Sequence, residues 1–362
     1  MIWLAWRQLR TSALAATLAL VAILVALLVT GSQLLHVYDT VVAPCAAHHG
    51  GPFSNACAPL TGHLFSDGHL RHVFGTLVFA VPFLAGIFWG APLVARELES
   101  GTYRLAWTQS VTRARWITTR LVLVALVTVV LVVLLSAAVT WWQWPLDHVG
   151  PGLFSNFDER DVVPAAYALF AVALGALLGA VVRRTLVAMA ATIVGLLGVR
   201  YLIEQYVRPM LFAPLRSSSP FHLQVTSTGV SAGIGPPQPN DWVISNQIVT
   251  GTGKVVGQGG GIGPNGNLGG FNVKDNGTAV FTGVGKCPNR IPVTPGGPNA
   301  HANPATQAAL QRCVDSFHLH NLVTYQPPSR YWPLQWSEAA IFVALALALG
   351  AACVWLVRRR LP

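Results

Sequence analysis

Residues 121–142 read LVLVALVTVVLVVLLSAAVTWW, a run without a single charged side chain. Crossing a hydrocarbon core about 30 Å thick takes roughly 20 apolar residues in a helix. A helix also satisfies every backbone N–H and C=O within the segment, which lipid demands. Leu121 to Trp142 is therefore read as a membrane span. Five more stretches meet the same measure: Leu14 to Leu35, Val73 to Val94, Val163 to Val182, Leu186 to Ile203 and Ala339 to Val357. The stretch from Leu186 is the least uniform, because Arg200 and Glu204 sit in its last turns. Six spans give an all-α polytopic membrane protein.

Composition points the same way. Of the 362 residues, 53% are hydrophobic and only 10% are charged, at a mean hydropathy of +0.52. Soluble globular chains carry about a quarter charged residues, so much of this surface faces something other than water. Arg7 and Arg10 ahead of an apolar run resemble a secretory signal. However, Leu14 to Val29 is long for one and no small-x-small cleavage site follows, so the segment reads as a retained span. Within MIWLAWRQLR, Ile2, Trp6 and Leu9 share one helical face beside basic side chains. That pattern suits residues 1–10 as a short helix in the membrane interface, and it suits equally an extension of the first span.

Orientation follows from the basic residues of the short loops. Arg7, Arg10, Arg96, Arg104, Arg113, Arg115, Arg120, Arg183, Arg184, Arg358, Arg359 and Arg360 gather on one side of the spans. The short loops opposite carry only Arg71 and Arg160. The basic side is cytoplasmic on this rule, with both termini inside. The net charge of +10 is thus a topology signal, and it calls for no nucleic-acid partner. Cys45 and Cys57 then fall in the first outer loop, and Cys287 and Cys313 in the large outer segment. Each pair is placed to close a disulfide in an oxidising compartment. Cys353 lies inside the last span as a packing residue.

The loops are very unequal. Little more than Arg183-Arg184 separates the fourth and fifth spans, which predicts a tight hairpin. The segment between the fifth and sixth spans is the one part long enough to be a water-facing domain, and it is rich in Gly, Pro, Asn and Thr. Strands are expected at Trp242 to Val249, Phe271 to Lys274 and Thr278 to Thr282, with Asp275-Asn276-Gly277 as a hairpin turn. A helix is expected from about Pro304 to Phe317, capped by Asn303. Gly257 to Gly270 is low in complexity and reads as a mobile loop. The whole is a small β-rich cap stapled by Cys287–Cys313.

Several chemistries are excluded on residue type and place. Gly261-Ile-Gly263-Pro-Asn-Gly266 has dinucleotide-site spacing, but no strand before it or helix after it is evident. Thr252-Gly253-Lys254 resembles the end of a phosphate loop, yet Ile248 stands where the motif needs Gly and Val255 where it needs Ser or Thr. Histidines 36, 48, 49, 63, 69 and 72 crowd the first outer loop, but no pair shows the regular i, i+4 spacing of a helical ligand set, so solvated loop histidines are the plainer reading. Ion-coupled carriers need ionisable groups near mid-membrane. Here the acidic groups beside the spans are Glu204 and Glu338, both near the outer boundary. Arg200, Glu204 and Glu338 form an outer interfacial charge cluster, read as structural ahead of a substrate gate. A membrane enzyme acting on lipid would need a catalytic cluster at headgroup level, and only these three residues come near one.

The cytoplasmic loop reads Ala95-Arg-Glu-Leu-Glu-Ser-Gly-Thr-Tyr-Arg-Leu-Ala-Trp-Thr-Gln-Ser-Val-Thr-Arg-Ala-Arg-Trp-Ile-Thr-Thr-Arg120. Glu97 and Glu99 precede Gly101, where the chain can turn sharply. Tyr103 to Gln109 mixes large apolar side chains with Arg104, and Arg113 and Arg115 mark where the third span begins. A charged helix below two spans suits docking into a cytosolic partner, and an ordinary interfacial helix fits as well.

This loop resembles that of the permeases of type-2 ABC exporters, found particularly in actinobacteria. Theirs runs from an acidic residue through Gly-Thr and an apolar helix to a basic residue, a pattern matched by Glu97, Gly101, Thr102, Leu105, Arg113 and Arg115. Tyr325-Gln-Pro-Pro-Ser-Arg-Tyr-Trp-Pro-Leu-Gln-Trp-Ser-Glu338 before the last span is similar to the same branch. Many members carry Pro before the basic residue, where this chain has Gln109-Ser110. The resemblance implies a coupling helix at 96–110, with Glu97, Glu99, Gly101, Thr102, Tyr103, Arg104, Leu105 and Gln109 as its contacts to an ATPase. Glu97 would buttress the turn at the membrane edge. It implies a cytosolic ABC ATPase partner holding ATP and magnesium, none of them bound in this chain. It also implies a homodimer or a second permease chain, and location in the bacterial plasma membrane. Gly86, Gly90, Gly175, Gly179, Gly195 and Gly198 would permit close helix packing or bending, and Pro82 and Pro92 would bend the second span. On this reading residues 11–206 hold five spans, 207–335 an extracellular domain, and 336–362 the sixth span with a basic tail. The alternative is a membrane-anchored ligand-sensing or immunity protein whose outer domain binds its ligand.

Overall fold

The computed structural model describes residues 2–48, 57, 60, 68–99, 112–149, 152–221, 223–226, 229–232, 240–258, 267–268, 271–273, 278–281, 285–290, 308, 311–313 and 315–360. The chain forms two units, one from residues 1–212 with 331–362 and the other from residues 213–330.

The first unit is helical, and six of its helical stretches are long and apolar enough to cross a membrane. Helix α1, Ile2–Val37, continues through a π-helical turn at Tyr38–Val42 into α2, Ala43–His48. Residues 2–10 belong to this helix without a break. The second span comprises α3, Gly68–Ala85, a π-helical turn at Gly86–Gly90 and α4, Ala91–Glu99. The wide turn lies just past Pro82, which lacks the N–H needed to bond its own preceding turn. The third span, α5, runs Arg113–Val149. After a short 3₁₀ segment at Leu153–Glu159 comes α6, Val163–Val182, with Pro164 in its first turn, a position where a missing N–H costs nothing. Helix α6 closes on Arg183, whose left-handed φ of 60° lets its N–H bond the Gly179 carbonyl. Arg184 is extended, and α7 starts at once, Thr185–Leu202, followed by a π-helical turn at Ile203–Val207. Helix α8, Tyr331–Arg360, is the sixth span.

Helix α6 is the one the others pack around. In its most apolar window 61% of residues are buried, against 17% in the first and sixth spans. Lipid gives apolar helices no hydrophobic reason to associate, so close approach through small residues must supply contact instead. Helix α6 has them on its inner face, as Gly175 and Gly179, and the second span answers with Gly86 and Gly90. A Cβ placed on Gly175 would stand 2.5 Å from the Gly86 carbonyl oxygen, and one on Gly90 2.8 Å from that of Val172. A Cβ on Gly179 would overlap the Ala91 carbonyl oxygen. Two G-x-x-x-G faces thus meet backbone to backbone. Gly198 differs, since a Cβ there would find no atom within 4 Å. Larger side chains fill the wider gaps: Leu20, Leu27, Phe74, Val78, Leu135, Val139 and Trp142 join α1, α3 and α5. Val94, Trp116, Ile117, Ala176, Ala180, Cys353 and Val357 join α4, α5, α6 and α8.

The second unit is built on a four-stranded antiparallel sheet of order β1-β10-β4-β5, from Leu215–Pro220, His320–Gln326, Trp242–Val249 and Val255–Gln258. Its centre is β10 against β4, two strands rich in branched and aromatic residues. Phe221, Ile248, Val249, Leu319 and Val323 are buried there. The edge strand β1 is Ser-rich and ends in Pro220, which an edge tolerates because no ladder N–H is required. A second sheet takes β6 to β9 in order, Asn267–Leu268, Phe271–Val273, Thr278–Phe281 and Gly285–Arg290. A hairpin pairs β2, Leu223–Thr226, with β3, Gly229–Ala232. The Gly-rich stretch read as a mobile loop therefore contributes strand at both ends, through Gly257-Gln258 and Asn267-Leu268. At the first end the branched pair Val255-Val256 carries it onto β4. Thr252-Gly253-Lys254 is a tight turn: Thr250 N–H bonds the Lys254 carbonyl, and Gly253 sits at φ 81°, a conformation that suits Gly. Asp275-Asn276-Gly277 lies outside the described residues. Of the expected 304–317 helix, Ala308, Gln311, Arg312, Cys313 and Asp315 are helical.

Candidate functional site

Two polar constellations occupy the two ends of α6. At its C-terminal end the second span delivers two carboxylates. Glu97 accepts a hydrogen bond from Arg120 of α5 at 2.8 Å, and the side chains are 18% and 10% exposed. The Arg120 guanidinium also lies 4.5 Å over the Trp116 ring, which fixes the cation from its apolar side. Glu99 accepts from both the backbone N–H and the hydroxyl of Thr185, at 3.0 and 2.6 Å. Thr185 is the first residue of α7, so Glu99 satisfies an orphan N–H and faces the positive end of the helix dipole. The two acidic residues thereby tie the end of the second span to the starts of the third and the fifth. Gly101, Thr102, Tyr103, Arg104, Leu105 and Gln109 lie outside the described residues.

At the N-terminal end of α6, Arg208 donates from Nε and a terminal nitrogen to the two oxygens of Glu338, at 2.7 and 2.8 Å. This bidentate fork is the strong form of an ion pair. Arg208 bonds Asp158 as well, and Arg200 reaches the same carboxylate at 3.2 Å. The Arg200 guanidinium is 3.9 Å over the Phe79 ring and 4.6 Å from that of Tyr167. Tyr167 has one hydroxyl proton, yet its oxygen is 2.6 Å from Glu338 and 2.8 Å from Asp158, so the two carboxylates share it. Two arginines balance two carboxylates, and Arg200, Arg208 and Glu338 are all buried. The quartet clamps α7 to α6, α8 and the 3₁₀ segment. Glu204, one turn from Arg200, has no ion pair among the described residues.

Beside the quartet lies a second group. Arg160 donates to Asp147 at 2.6 Å, and its Nε stands 3.3 Å from Asp161 without hydrogen-bond geometry. Asp161 holds a left-handed φ of 62°, kept there by Ser136 bonding its carbonyl at 2.9 Å and Thr140 bonding its N–H at 3.3 Å. Its carboxylate accepts from the hydroxyls of Thr140 and Tyr331. Gln335 bonds the Phe157 carbonyl and accepts from the Val163 N–H, capping the start of α6 from α8.

Asp158, Arg208 and Tyr167 organise the quartet, and sequence reasoning passed over all three. The signal available was Asp158-Glu159-Arg160-Asp161, four charged residues in a row in a chain only 10% charged. Cys45 and Cys57 form a disulfide with Cα atoms 5.9 Å apart. Cys313 is disulfide-bonded too, and the side chain of Cys287 lies outside the described residues. His36 and His48 end helical segments, and no cluster of three metal-binding side chains occurs among the described residues.

Compared with known proteins, residues 16–208, just over half of the chain, match the family model described as ABC-2 membrane transporter related. No curated protein and no solved structure matches.

Proposed function

This chain belongs to the ABC-2 membrane transporter related family, and from that membership we propose that it is the permease subunit of an ATP-driven exporter. A separate cytosolic ATP-binding cassette subunit holds ATP and magnesium and hydrolyses the nucleotide. The permease moves a hydrophobic or amphipathic substrate out of a bacterial cell, paired with a second copy or a second permease chain. Both termini and the Glu97 end of the helices face the cytosol, and residues 213–330 lie outside.

The observation that carries the reading is the double tie at the end of the second span. Glu97 holds Arg120 and Glu99 holds Thr185, so the segment that begins at residue 100 leaves from a point fastened to the second, third and fifth spans. A push delivered there by a closing ATPase pair reaches three spans at once. Glu97, Glu99, Gly101, Thr102, Tyr103, Arg104, Leu105 and Gln109 are the residues assigned to that contact.

Isolation of the tagged chain from native membranes in mild detergent tests the partner. Recovery of a stoichiometric ABC ATPase, lost when residues 97–109 are scrambled, supports the proposal. Recovery of the chain alone, under conditions that keep a known ABC complex intact, defeats it in favour of a ligand-sensing role. The tie has its own test. Glu97→Arg is expected to uncouple ATP hydrolysis from the permease by tenfold or more. Adding Arg120→Glu, which restores the pair in reverse, should recover part of the coupling. No recovery in the double variant would detach the pair from coupling.

A further inference from the structure

A groove of about 400 Å³ runs along the face of α5 beside the second polar group, lined by Val133, Ala137, Thr140, Trp141, Trp144 and Asp161. The five α5 residues recur at helical spacing and so form one stripe. Val133, Ala137, Trp141 and Trp144 are all exposed, which in a membrane protein means a wall open to lipid. Aromatic residues at such a wall suit the interfacial region, where an indole meets both hydrocarbon and headgroups. Asp161 closes the polar end of the groove.

We propose that this groove binds an amphiphile with a cationic, phosphate-free head: an apolar tail against Val133 and Ala137, and an organic ammonium between Trp141, Trp144 and the Asp161 carboxylate. Three observations select that chemistry. First, Asp161 shares a single guanidinium with Asp147: Arg160 hydrogen-bonds Asp147 and stands 3.3 Å from Asp161 without hydrogen-bond geometry, while the Asp161 carboxylate accepts from the hydroxyls of Thr140 and Tyr331. A cation arriving from the groove completes the pairing. Second, Trp141 and Trp144 are 40% and 47% exposed in the same lining as the carboxylate, and indole attracts ammonium by its quadrupole, most strongly where water is scarce. Third, no lysine or arginine lines the groove. The one charged side chain in the lining is the acid Asp161, with the Arg160 guanidinium buried behind it, so a phospholipid phosphate would meet like charge first and is the poorer occupant. The strained backbone of Asp161, held by Ser136 and Thr140, keeps the carboxylate at the groove, and strain of this kind collects at binding sites.

As a recruitment point for exported cargo the groove rests on the permease reading. Occupancy is measured without an ATPase, so the two ideas fail separately. The purified full chain is placed in phosphatidylcholine nanodiscs and titrated with a nitroxide-bearing dodecyl trimethylammonium, which quenches indole fluorescence on contact. The same-tail sulfonate and alcohol serve as comparisons. The expected result is a saturable quenching component for the cation alone. Asp161→Asn should raise its Kd about tenfold. Ala137→Phe, at an exposed position that leaves the Asp161 hydrogen bonds in place, should remove the component without loss of the folded, monodisperse protein. Equal quenching by all three amphiphiles overturns the proposal, as does binding unmoved by both substitutions. Displacement of the cation by phosphatidylethanolamine at ordinary membrane proportions also overturns it, in favour of a phospholipid site.

Discussion

Arg208 stands between two acidic residues that are far apart in sequence, Glu338, which pairs with it alone among the described ion pairs, and Asp158, which it shares with Arg200. A charge left alone in a buried site costs far more than the pair returns, so loss of one partner is the informative change. Asp158→Asn leaves Arg200 and Arg208 facing a single carboxylate, and the expected cost is about 3 kcal/mol, as for other broken buried pairs. The check is a drop in the melting temperature of the detergent-solubilised protein. Arg208→Met combined with Glu338→Leu removes both members of the bidentate fork and is expected to be milder than Glu338→Gln alone. Glu204→Gln should change little. These residues also mark how far the sequence could be read. Arg200 and Glu338 stand out as charges beside spans, and both are in the quartet. Their partners did not stand out, because ion pairs between a loop and two distant helices leave no spacing signature. Glu204 sits one turn from Arg200, but the side chain that Arg200 meets is Asp158, brought in by the segment before α6.

The six spans were the most legible elements, since a run of about 20 apolar residues rarely folds as anything but a membrane helix. Val163–Val182 has the same bounds in sequence and structure. What the runs do not encode is which faces touch. That information lies in Gly86, Gly90, Gly175 and Gly179, where ordinary packing and bending fit the sequence equally well and only the meeting of the backbones decides. Gly175→Leu is expected to separate the second and fourth spans. Overpacking alone costs about 1–3 kcal/mol, and here the obstruction is main chain, which cannot rotate away. The measurement is loss of the monodisperse peak in size-exclusion chromatography. Gly198→Ala meets nothing, and an interior helical Gly→Ala is worth up to about 1 kcal/mol by propensity, so it should leave stability equal or raised. The strands were less legible. Trp242–Val249 has branched and aromatic residues in quantity, whereas Leu215–Pro220 is Ser-rich and becomes a strand only because β10 pairs with it.

Across the whole molecule, the helical unit and the β-rich unit follow two different solvents. Residues 1–212 and 331–362 are dominated by apolar runs, and residues 213–330 by turn formers and short strands. An even number of crossings places both ends of the chain on one side, and the basic loops make that side the cytosol in the proposed orientation. A fluorescent protein that matures only in the cytosol should therefore glow when fused at either terminus, and stay dark when inserted between residues 251 and 252. Signal from the insertion would reverse the orientation and with it the assignment of the Glu97 end. The segment from residue 100 to 111 lies outside the described residues. The coupling role proposed for it rests on a sequence resemblance and on the ties at Glu97 and Glu99 that precede it.

The two-residue link at Arg183-Arg184 also governs how the chain is built. Helix α7 carries Arg200, and Arg208 follows the π-helical turn at its end, charges that oppose partition of this span into lipid one helix at a time. With so short a connection it must enter the bilayer as a hairpin with α6, whose preceding segment already supplies Asp158. Glu338 emerges from the ribosome only after residues 213–330 have been made. For that interval Asp158 is the one acidic partner of the quartet available to both arginines, and biogenesis has its most fragile intermediate there. Membrane-inserted nascent chains halted before residue 338 should accordingly be the ones that quality-control proteases find first.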